Sequence, residues 1–480
     1  MSYDRHELQR VLDLQRADFL HYGGGSVAQR RSRVSRMALA LLENMDALAD
    51  ALSSDFGSRP PVVSKAFDGL NWVEDIEQAL TNLPQWMEPR EVPGGFVQAK
   101  PKGVVGIMGA WNFPLTLTFQ PAMLALAAGN RVMLNFPEHH QRTGKLLREI
   151  FSERFDESEV CVFNGDLGTA QAFSTLALDH LFFTGSPAIG ELVAQSAGKN
   201  LVPVTLELGG KNPVVIADDA DIDLAAKRVA SSRLLNGGQV CLCPDYVFVP
   251  EKRFDAFVDA LKAVLQNLSG DLLNNPAIIP IINDKNVERI TSLIDDAVSK
   301  GAQKVVALEA EQLASLADSA TRRIPPTLLI DTPETAQINS EEIFGPVLVL
   351  KRYEGLSEVI SYINARPAPL AAYWYGEDSR DFRRFLDATT SGGVTRNDGF
   401  VHASLPGAPF GGVGRSGSGA YHGRAGFDTF THYRTVANST GEQGTADAFV
   451  DGTMLDSNAQ ASIDGAVAAA VSAFKKSITH

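Results

Sequence analysis

Short apolar runs alternate with amphipathic segments along most of the chain, and this alternation predicts the fold class. A first series of strand-like runs lies at 103–108, 131–134, 159–163, 180–183 and 202–208. A second series follows at 213–217, 246–250, 325–330 and 346–350. Helical patterns separate the runs, and strands that alternate with helices favour parallel sheets joined by right-handed crossovers. We therefore predict two α/β units, of which the first is a doubly wound sheet of the kind that binds dinucleotides.

The segment before the first of these runs predicts helices. One helix begins near the amino terminus, a second extends from the N-cap candidate Ser26 to the terminating Gly57, and a third lies around 67–83. Proline and glycine are dense in 84–101, which indicates a hairpin or arm that leaves the compact body.

The carboxyl-terminal third contains several segments of distinct composition. A helical pattern at 309–317 precedes the last strand-like runs, and glycine is dense in 407–424, which predicts a segment that wraps over other elements. Small polar residues dominate 437–461 and predict a loosely held tail. An alanine-rich stretch at 465–474 predicts a terminal helix.

Composition places the chain among globular proteins. Its 480 residues exceed one ordinary hydrophobic core and predict two or three domains. With 44% hydrophobic residues, 21% charged residues and a net charge of −14, the chain is unsuited to bind nucleic acid or an anionic membrane surface. No apolar run approaches the length needed to span a bilayer.

Cysteine usage indicates a reducing compartment. Cys161, Cys241 and Cys243 cannot form a disulfide framework, and an odd number of cysteines favours free thiols. The cytoplasm is therefore the expected location. Cys241 and Cys243 have no second pair and no nearby histidine cluster, so we expect no metal site.

The segments around Cys241 and Glu207 carry the strongest chemical signal. Cys241 ends the run GGQVC, and Glu207 begins the run ELGGKNP. A thiol with partial thiolate character can attack a carbonyl carbon, and a carboxylate can activate that thiol or a water molecule. The two side chains together can make and hydrolyse a thioester, whereas Cys241 taken alone is more simply a small buried side chain.

Two further motifs allow both a functional and a structural interpretation. Gly185 and Ser186, followed by Gly190, join a strand to a helix whose first backbone N–H groups can face a pyrophosphate, although any strand-to-helix turn has this form. Asn112, in the run WNFP, can donate its side-chain amide to an oxyanion or can serve only to shape a turn.

The acidic pair Glu341 and Glu342 opens the run EEIFGPV. A carboxylate at this place can bind ribose hydroxyl groups. Paired acids are more often simply solvated, so the pair alone does not decide between these interpretations.

Six motifs taken together resemble the aldehyde dehydrogenase superfamily over residues 1–436. They are WNFP, FTGSPAIG, ELGGKNP, GGQVC, EEIFGPV and PFGGVGRSG, in the order and spacing of that family. The runs SGGVTRNDGFVH and CLCPDYVFVPE are most similar to its class 3 and coniferyl-aldehyde dehydrogenase branch.

The resemblance implies an aldehyde dehydrogenase-like α/β fold with a Rossmann-type cofactor domain, an α/β catalytic domain and a small oligomerisation arm. It predicts an NAD-binding domain from 1–83 and 102–207 and a catalytic domain from 208–395. The bridging and oligomerisation elements are then 84–101 and 396–436, and 437–480 form a carboxyl-terminal tail.

The resemblance also implies a role for individual residues. Cys241 is the nucleophile, Glu207 is the general base, and Asn112 forms an oxyanion hole with the Cys241 backbone N–H. An aldehyde then adds to the thiolate, the adduct passes a hydride to the nicotinamide, and water activated by Glu207 cleaves the thioester. The residues expected to contact the cofactor are Trp111, Asn135, Glu138, Gly185, Ser186, Gly190, Glu342 and Phe344.

Two positions depart from the family pattern. Relatives have Lys-Pro-Ser-Glu where this chain has Asn135 to Glu138, so the lysine that would contact the adenosine ribose or a 2′-phosphate is missing. The retained Glu138 would repel a 2′-phosphate, which favours NAD over NADP and leaves the cofactor affinity open. Cys243 stands where relatives often carry alanine; it is either a packed small side chain or a thiol that traps Cys241 upon oxidation.

We therefore expect an NAD-preferring aldehyde dehydrogenase that forms carboxylic acids and acts as a homodimer. Aromatic or medium- to long-chain aliphatic aldehydes are the expected substrates, because the pocket residues Trp111, Phe113 and Phe400 are bulky and apolar. One alternative is a CoA-acylating dehydrogenase, but Glu207 argues against it, because that chemistry must keep water from the thioester. Another is a non-catalytic relative with a binding or structural role, to which Asn135 gives some weight.

Overall fold

The computed structural model describes residues 3–268, 275, 278–306, 321–438, 441 and 446–478. Within these ranges the chain divides into two compact units, 1–87 with 100–432 and 88–99 with 433–480. The predicted helix at 309–317 lies outside the described residues.

Helices begin and end close to residues that the sequence singles out. Ser26 caps its helix through a reciprocal pair of hydrogen bonds with Gln29, and Gly57 ends another in the left-handed conformation. A π-helical turn occupies Lys65–Leu70. The α-helices are Arg5–Tyr22, Val27–Leu42, Met45–Phe56, Pro61–Ser64, Val73–Met87, Pro114–Ala127, Gln141–Arg154, Leu167–Ser174, Pro187–Gly198, Ile222–Leu234, Phe254–Leu268, Asp284–Ser299, Leu356–Asn364, Arg380–Ala388, Gly423–Thr429, Asp447–Val450 and Ser457–Ile478.

The strands of the larger unit are short and mostly buried along their whole length, as expected for sheets covered on both faces. In chain order the strands are β1 Arg90–Val92, β2 Gly95–Pro101, β3 Val104–Met108, β4 Arg131–Asn135, β5 Val160–Phe163, β6 His180–Gly185, β7 Val204–Leu208, β8 Asn212–Ile216, β9 Pro244–Pro250, β10 Gln303–Val306, β11 Thr327–Ile330, β12 Val347–Tyr353, β13 Ala371–Tyr375, β14 Gly393–Arg396, β15 Gly417–Ser418 and β16 Thr431–Ala437.

One sheet of the larger unit carries the predicted doubly wound order. Its described strands follow the order β15-β7-β6-β3-β4-β5, and the five from β7 to β5 are parallel. The short β15 pairs antiparallel with β7, so that Gly417 lies opposite Glu207. The glycine-rich segment thus returns to the edge of this sheet beside the predicted general base.

A second sheet of the larger unit contains the later strand-like runs. Its described strands follow the order β10-β11-β12-β9-β8-β13-β14, and all pairs except β10 with β11 are parallel. Val349, Trp374 and Phe385 belong to the hydrophobic core on this sheet. The core of the first sheet includes Phe163, Phe173 and Phe183.

The smaller unit contains β1, most of β2, most of β16 and the terminal helix Ser457–Ile478. The three strands form one sheet in the order β1-β2-β16, which confirms the predicted hairpin. No helix of the described residues is long and apolar enough to cross a membrane.

Two helix predictions near the amino terminus are wrong in detail. The stretch from Ser26 to Gly57 is two helices, because the backbone of Asn44 leaves the helical region and its side chain bonds back to Ala40 O. The helix predicted around 67–83 is instead a π-helical turn followed by Val73–Met87, which continues through Pro84.

Candidate active site

The Cys241 loop lies between the helix Ile222–Leu234 and β9, as its sequence predicts. Asn236, Gly237 and Gly238 all have positive φ angles, 51°, 68° and 77°. A Cβ atom on Gly238 would lie 2.3 Å from Gly345 O, so no larger residue fits there without displacing that backbone. The Asn-Gly-Gly run therefore turns the chain sharply and delivers Cys241 next to the segment that follows Glu342.

The Cys241 thiol lies among carboxyl groups. It is partly accessible, and burial together with the charges of Glu342 and Glu207 raises its pKa above the usual range, while its own backbone N–H opposes the shift. A thiol in these surroundings is protonated at rest, and its reaction as a nucleophile requires a base.

Glu207 is a buried carboxyl group near this thiol. It lies on β7, is 4% exposed, and neither side-chain oxygen has a hydrogen-bond partner among the described residues. Burial raises its pKa well above the usual range. A buried carboxyl group without a hydrogen-bond partner lowers the stability of the folded protein. Carboxyl groups in such surroundings are typical of sites where a proton is transferred.

Glu342 is the second carboxyl group near Cys241, and its backbone contacts differ from those of Glu207. A Cβ atom on Gly209 would lie 2.1 Å from one carboxylate oxygen, so the glycine allows the two segments to meet. Burial and Asp245 raise the pKa of Glu342 to about 8, and a hydrogen bond from the Gly210 backbone opposes the shift. The neighbouring Glu341 pairs with Arg289 at 2.9 Å, so the two acids serve different contacts.

Asn112 lies in the loop after β3 and is 4% exposed. Its side-chain Nδ2 donates to Gln239 O at 3.1 Å, which ties it to the cysteine loop. Its carbonyl oxygen accepts from Arg59 Nη1 at 2.8 Å and from Asn236 Nδ2 at 3.2 Å. The second hydrogen of the Asn112 amide is not used in these contacts, which suits a donor to an oxyanion.

The buried side chains of Arg59 and Asp68 bind the backbone of the loop that contains Asn112. They form an ion pair with both side chains fully buried. Asp68 Oδ1 also accepts from Leu115 N at 3.0 Å, at the start of the helix that follows Asn112. Because the N-cap position of that helix supplies no side-chain hydrogen bond, Asp68 replaces a local cap.

Two of the aromatic residues predicted to line a pocket, Trp111 and Phe113, contact other rings. The Trp111 ring meets Phe344 edge-on, with centroids 5.4 Å apart, and Phe113 lies 6.2 Å from Phe67. Phe344 and Phe400 have positive φ angles of 47° and 66°, which are unusual for large side chains. Such strained backbone is often found near functional sites.

The strand-to-helix turn at Gly185 and Ser186 has the predicted form. Gly185 ends β6, and Ser186 caps the helix Pro187–Gly198 by accepting from Ile189 N. A Cβ atom on Gly190 would lie 2.6 Å from Leu208 Cδ2, so Gly190 allows the helix to pack closely on β7. The contacts of Gly190 are therefore those of helix packing.

Asn135 and Glu138 differ in exposure. Asn135 ends β4 and is 5% exposed, while the Glu138 side chain is 41% exposed, with an oxygen 3.7 Å from His139 Nδ1. His140, the next residue, is buried and bonds to Trp111 O at 2.7 Å. Burial lowers the pKa of His140 to about 3, so it is neutral at working pH.

Comparison with known proteins agrees with this geometry. The sequence model of the aldehyde dehydrogenase family matches residues 2–436 of the chain. The chain belongs to the aldehyde dehydrogenase family. This confirms the predicted family and enzyme class.

Individual relatives of this aldehyde dehydrogenase are similar over most of their length. A Pseudomonas sp. protein named coniferyl aldehyde dehydrogenase is 39% identical over 436 residues, 90% of each chain. A Rattus norvegicus protein named aldehyde dehydrogenase, dimeric NADP-preferring, is 35% identical over 85% of this chain and 90% of the rat protein. The crystal structure of Mycobacterium tuberculosis aldehyde dehydrogenase complexed with NAD+ is 28% identical, with a TM-score of 0.82 over 92% of each chain. The predicted fold is thereby confirmed.

Cys243 of this aldehyde dehydrogenase is packed. It is 2% exposed, its Sγ donates to Ser232 O at 3.2 Å, and it is a free cysteine, as Cys241 is. The contact fits the interpretation of Cys243 as a small packed side chain.

Sequence reasoning missed several residues of the site. Tyr421 is buried and interacts electrostatically with both Glu207 and Cys241, although it comes from the glycine-rich segment. A tyrosine directly after a glycine-dense run was a usable signal. The Arg59–Asp68 pair gave no signal, because its two members lie on segments without chemical motifs.

Proposed function

We propose that this aldehyde dehydrogenase oxidises aromatic or medium- to long-chain aliphatic aldehydes to carboxylic acids, with NAD as the preferred cofactor. The observation that carries the proposal is the convergence of the Cys241 thiol with the unpartnered, buried carboxyl group of Glu207. The Asn112 amide lies one hydrogen bond from the same loop.

Each of the three residues has one task in the proposed reaction. The ionised form of Glu207 takes the thiol proton, and the Cys241 sulfur forms a bond to the aldehyde carbon. The Asn112 amide and the Cys241 backbone N–H stabilise the negative charge that develops on the aldehyde oxygen. After oxidation of this adduct to a thioester, Glu207 removes a proton from water, which attacks the thioester and releases the acid.

The residues present fit a nicotinamide dinucleotide. Ser186 caps a 12-residue helix whose N-terminus is suited to a pyrophosphate, with Gly185 immediately before it. Glu342 can accept ribose hydroxyl groups, and Trp111 with Phe344 supplies an aromatic wall. Gly190 supports the position of the helix, and Asn135 and Glu138 would contact the adenosine ribose. The bound dinucleotide supplies the hydride acceptor.

The proposed substrate range follows from the aromatic residues near the loop. Trp111, Phe113 and Phe400 would line a bulky, apolar pocket, which favours an aromatic ring or an alkyl chain. The name of the Pseudomonas relative, coniferyl aldehyde dehydrogenase, supports the aromatic class.

We also propose a homodimer located in the cytoplasm. The word dimeric in the name of the rat relative supports the dimer, as does the separate unit formed by 88–99 and 433–480. Three free cysteines support a reducing location. Light scattering of the full chain at micromolar concentration tests the dimer, and a monomeric mass would contradict it.

An assay across a panel of aldehydes tests the proposed reaction. We expect NADH and the carboxylic acid in equal amounts, with higher kcat/KM for benzaldehyde-type and long-chain aldehydes than for acetaldehyde. Formation of an acyl-CoA only when CoA is present would instead indicate an acylating dehydrogenase. Absence of turnover with every aldehyde would favour a non-catalytic relative.

A further inference from the structure

Each carbonyl group of the cysteine loop, from Val240 to Cys243, is held by a hydrogen bond. Val240 O accepts from Cys243 N at 2.9 Å, which closes the loop on itself. The other carbonyl groups accept from two side chains outside the loop. The orientation of all four peptide groups is therefore set by specific donors.

Asn212 supplies two of these hydrogen bonds. It begins β8 and is 1% exposed, and its Nδ2 donates to Cys241 O at 2.7 Å and to Cys243 O at 3.0 Å. Its Oδ1 accepts from Ala371 N at 2.9 Å, at the start of β13. The buried side-chain amide of Asn212 thus connects the loop to β8 and β13 of the second sheet. Both of its amide hydrogens and its oxygen form hydrogen bonds.

Tyr373 supplies the remaining hydrogen bond. Its hydroxyl donates to Leu242 O at 2.6 Å from the middle of β13. Burial raises the pKa of Tyr373 well above the usual range, and a hydrogen bond from the Phe400 backbone opposes the shift. The hydroxyl is therefore a neutral donor over the whole working range of pH.

These contacts bear on the proposed oxyanion hole, which uses the backbone N–H of Cys241. A peptide group that rotated would turn a carbonyl oxygen, instead of an N–H, toward the reacting carbon, and the hole would be lost. The Cys241 backbone N–H opposes the rise in the pKa of its own thiol. The carbonyl group of that same peptide, Val240 O, accepts from Cys243 N. Tyr373 holds the peptide group of Cys243 N through Leu242 O, and Asn212 holds the carbonyl groups on either side of it, so the two side chains act on the Cys241 N–H through this contact.

We propose that Asn212 and Tyr373 are positioning residues, which hold the peptide groups of 240–243 so that the Cys241 N–H faces the aldehyde oxygen. The inference rests on the proposed function. It assigns neither residue a contact with the substrate, and it predicts that their removal slows the chemical step without weakening cofactor binding.

The first test is Tyr373→Phe, with Tyr375→Phe as matched control. Tyr375 lies two residues along the same strand, is 2% exposed, and its hydroxyl has no hydrogen-bond partner among the described residues. In single-turnover mixing with NAD and benzaldehyde, we expect Tyr373→Phe to slow NADH formation about tenfold, as for loss of one buried hydrogen bond. The dissociation constant of NAD should change less than twofold, and Tyr375→Phe should behave as wild type.

The second test is Asn212→Asp, with Asn339→Asp as control. Asn339 is also buried, and its Nδ2 donates to Pro333 O, away from the cysteine loop. A carboxylate at 212 would face two carbonyl oxygens, so we expect a loss of about a hundredfold in the same step. If Asn212→Asp does not fold, Tyr373→Phe alone decides the proposal.

A double-mutant cycle separates positioning from general stability. If Tyr373 acts through the oxyanion hole, Tyr373→Phe should cost far less in an Asn112→Ala background than in the wild type. The proposal would be overturned if the rate loss in the double variant equalled the product of the losses in the two single variants. A wild-type single-turnover rate in Tyr373→Phe would overturn it as well.

Alkylation of Cys241 by iodoacetamide, followed by peptide mass, needs neither substrate nor cofactor. We expect a slower rate in Tyr373→Phe, by at least about threefold, and no change in Tyr375→Phe, because the backbone N–H that stabilises the thiolate is displaced. A changed alkylation rate in a protein that oxidises no aldehyde would sink the proposed function and leave the positioning role intact. Unchanged alkylation and turnover in Tyr373→Phe, together with an active wild type, would overturn the positioning role and leave the proposed function intact.

Discussion

Glu207 and Glu342 are both carboxyl groups near the Cys241 thiol, yet their surroundings differ. Burial raises the pKa of both groups above the usual range. Glu207 has no hydrogen-bond partner among the described residues, whereas Glu342 accepts a hydrogen bond from the Gly210 backbone and lies against Gly209. The same residue type is thus unpartnered at one place and fixed at the other.

The difference suggests a division of work between the two carboxyl groups. A group without partners can take and release a proton with little rearrangement, which suits a general base. A group fixed by backbone contacts is better suited to bind hydroxyl groups in a constant geometry. The predictions below test this division.

Removal of the Cys241 thiol, with which both carboxyl groups interact electrostatically, should have the largest effect. We expect Cys241→Ala to retain less than about a hundredth of wild-type activity, because the covalent step is lost, with the fold and NAD binding nearly unchanged. Cys161→Ala serves as the control, since Cys161 lies on β5. Steady-state NADH release measures the effect, and a variant with more residual activity would exclude Cys241 as the nucleophile.

Glu207→Gln should separate the two halves of the reaction. Glutamine keeps the shape of the side chain but cannot take a proton, so we expect thioester hydrolysis to slow by about 100-fold or more and hydride transfer to slow less. Rapid mixing should show a burst of NADH followed by a slow steady state. Unchanged turnover would remove Glu207 from the mechanism, and equal loss in both phases would assign it to activation of the thiol alone.

Glu342→Gln should have a smaller effect of a different kind. Glutamine resembles the neutral carboxyl group, and a pKa of about 8 makes that form the major one at pH 7. We expect a loss of less than about tenfold, mainly in the KM for NAD, and no burst. A burst in this variant would break the proposed division of work.

The preference for NAD or NADP tests whether carboxyl groups also determine binding at the adenosine ribose of the dinucleotide. With Asn135 in place of lysine and Glu138 close by, we expect NAD to be preferred over NADP by at least about tenfold in kcat/KM, or roughly 1.4 kcal/mol. Asn135→Lys should narrow that gap by improving the value for NADP. Equal efficiency with both cofactors in the wild type would contradict the prediction.

The smallest expected effect is on stability. A carboxyl group whose folded pKa lies above its unfolded value contributes stability below the unfolded pKa, near 4.3, and loses that contribution as pH rises through the folded pKa. Glu207→Gln should therefore raise the Tm relative to wild type by more at pH 9 than at pH 5. Glu342→Gln should show a smaller difference between these pH values, since the Gly210 hydrogen bond favours its charged form. Equal Tm differences at pH 5 and pH 9 would contradict a folded pKa of these carboxyl groups above the unfolded value.

Much of this architecture was predictable because it depends on local patterns. The parallel strands of the first sheet and the cap at Ser26 follow from apolar runs and from the chemistry of one residue. The loop position of Cys241 follows likewise from the Asn-Gly-Gly run, whose positive φ angles few other residues adopt.

The contacts that fix the site were not predictable, because they join distant segments. Arg59 reaches Asn112 O, Tyr373 reaches Leu242 O, and Asn212 serves two carbonyl groups of the loop. Each donor lies on an ordinary strand or loop, and nothing in its own neighbourhood reveals its acceptor. The break at Asn44 also escaped prediction, since the hydrophobic pattern continues across it.

The central claim is that Cys241 carries the acyl group and that Glu207 is needed to release it. Intact-protein mass spectrometry of Glu207→Gln, quenched seconds after mixing with NAD and benzaldehyde, tests it most directly. We predict a mass increase equal to one benzoyl group, located on the peptide that contains Cys241 and absent when NAD is omitted. An unmodified protein that has nevertheless formed NADH and benzoic acid at the wild-type rate would contradict the account.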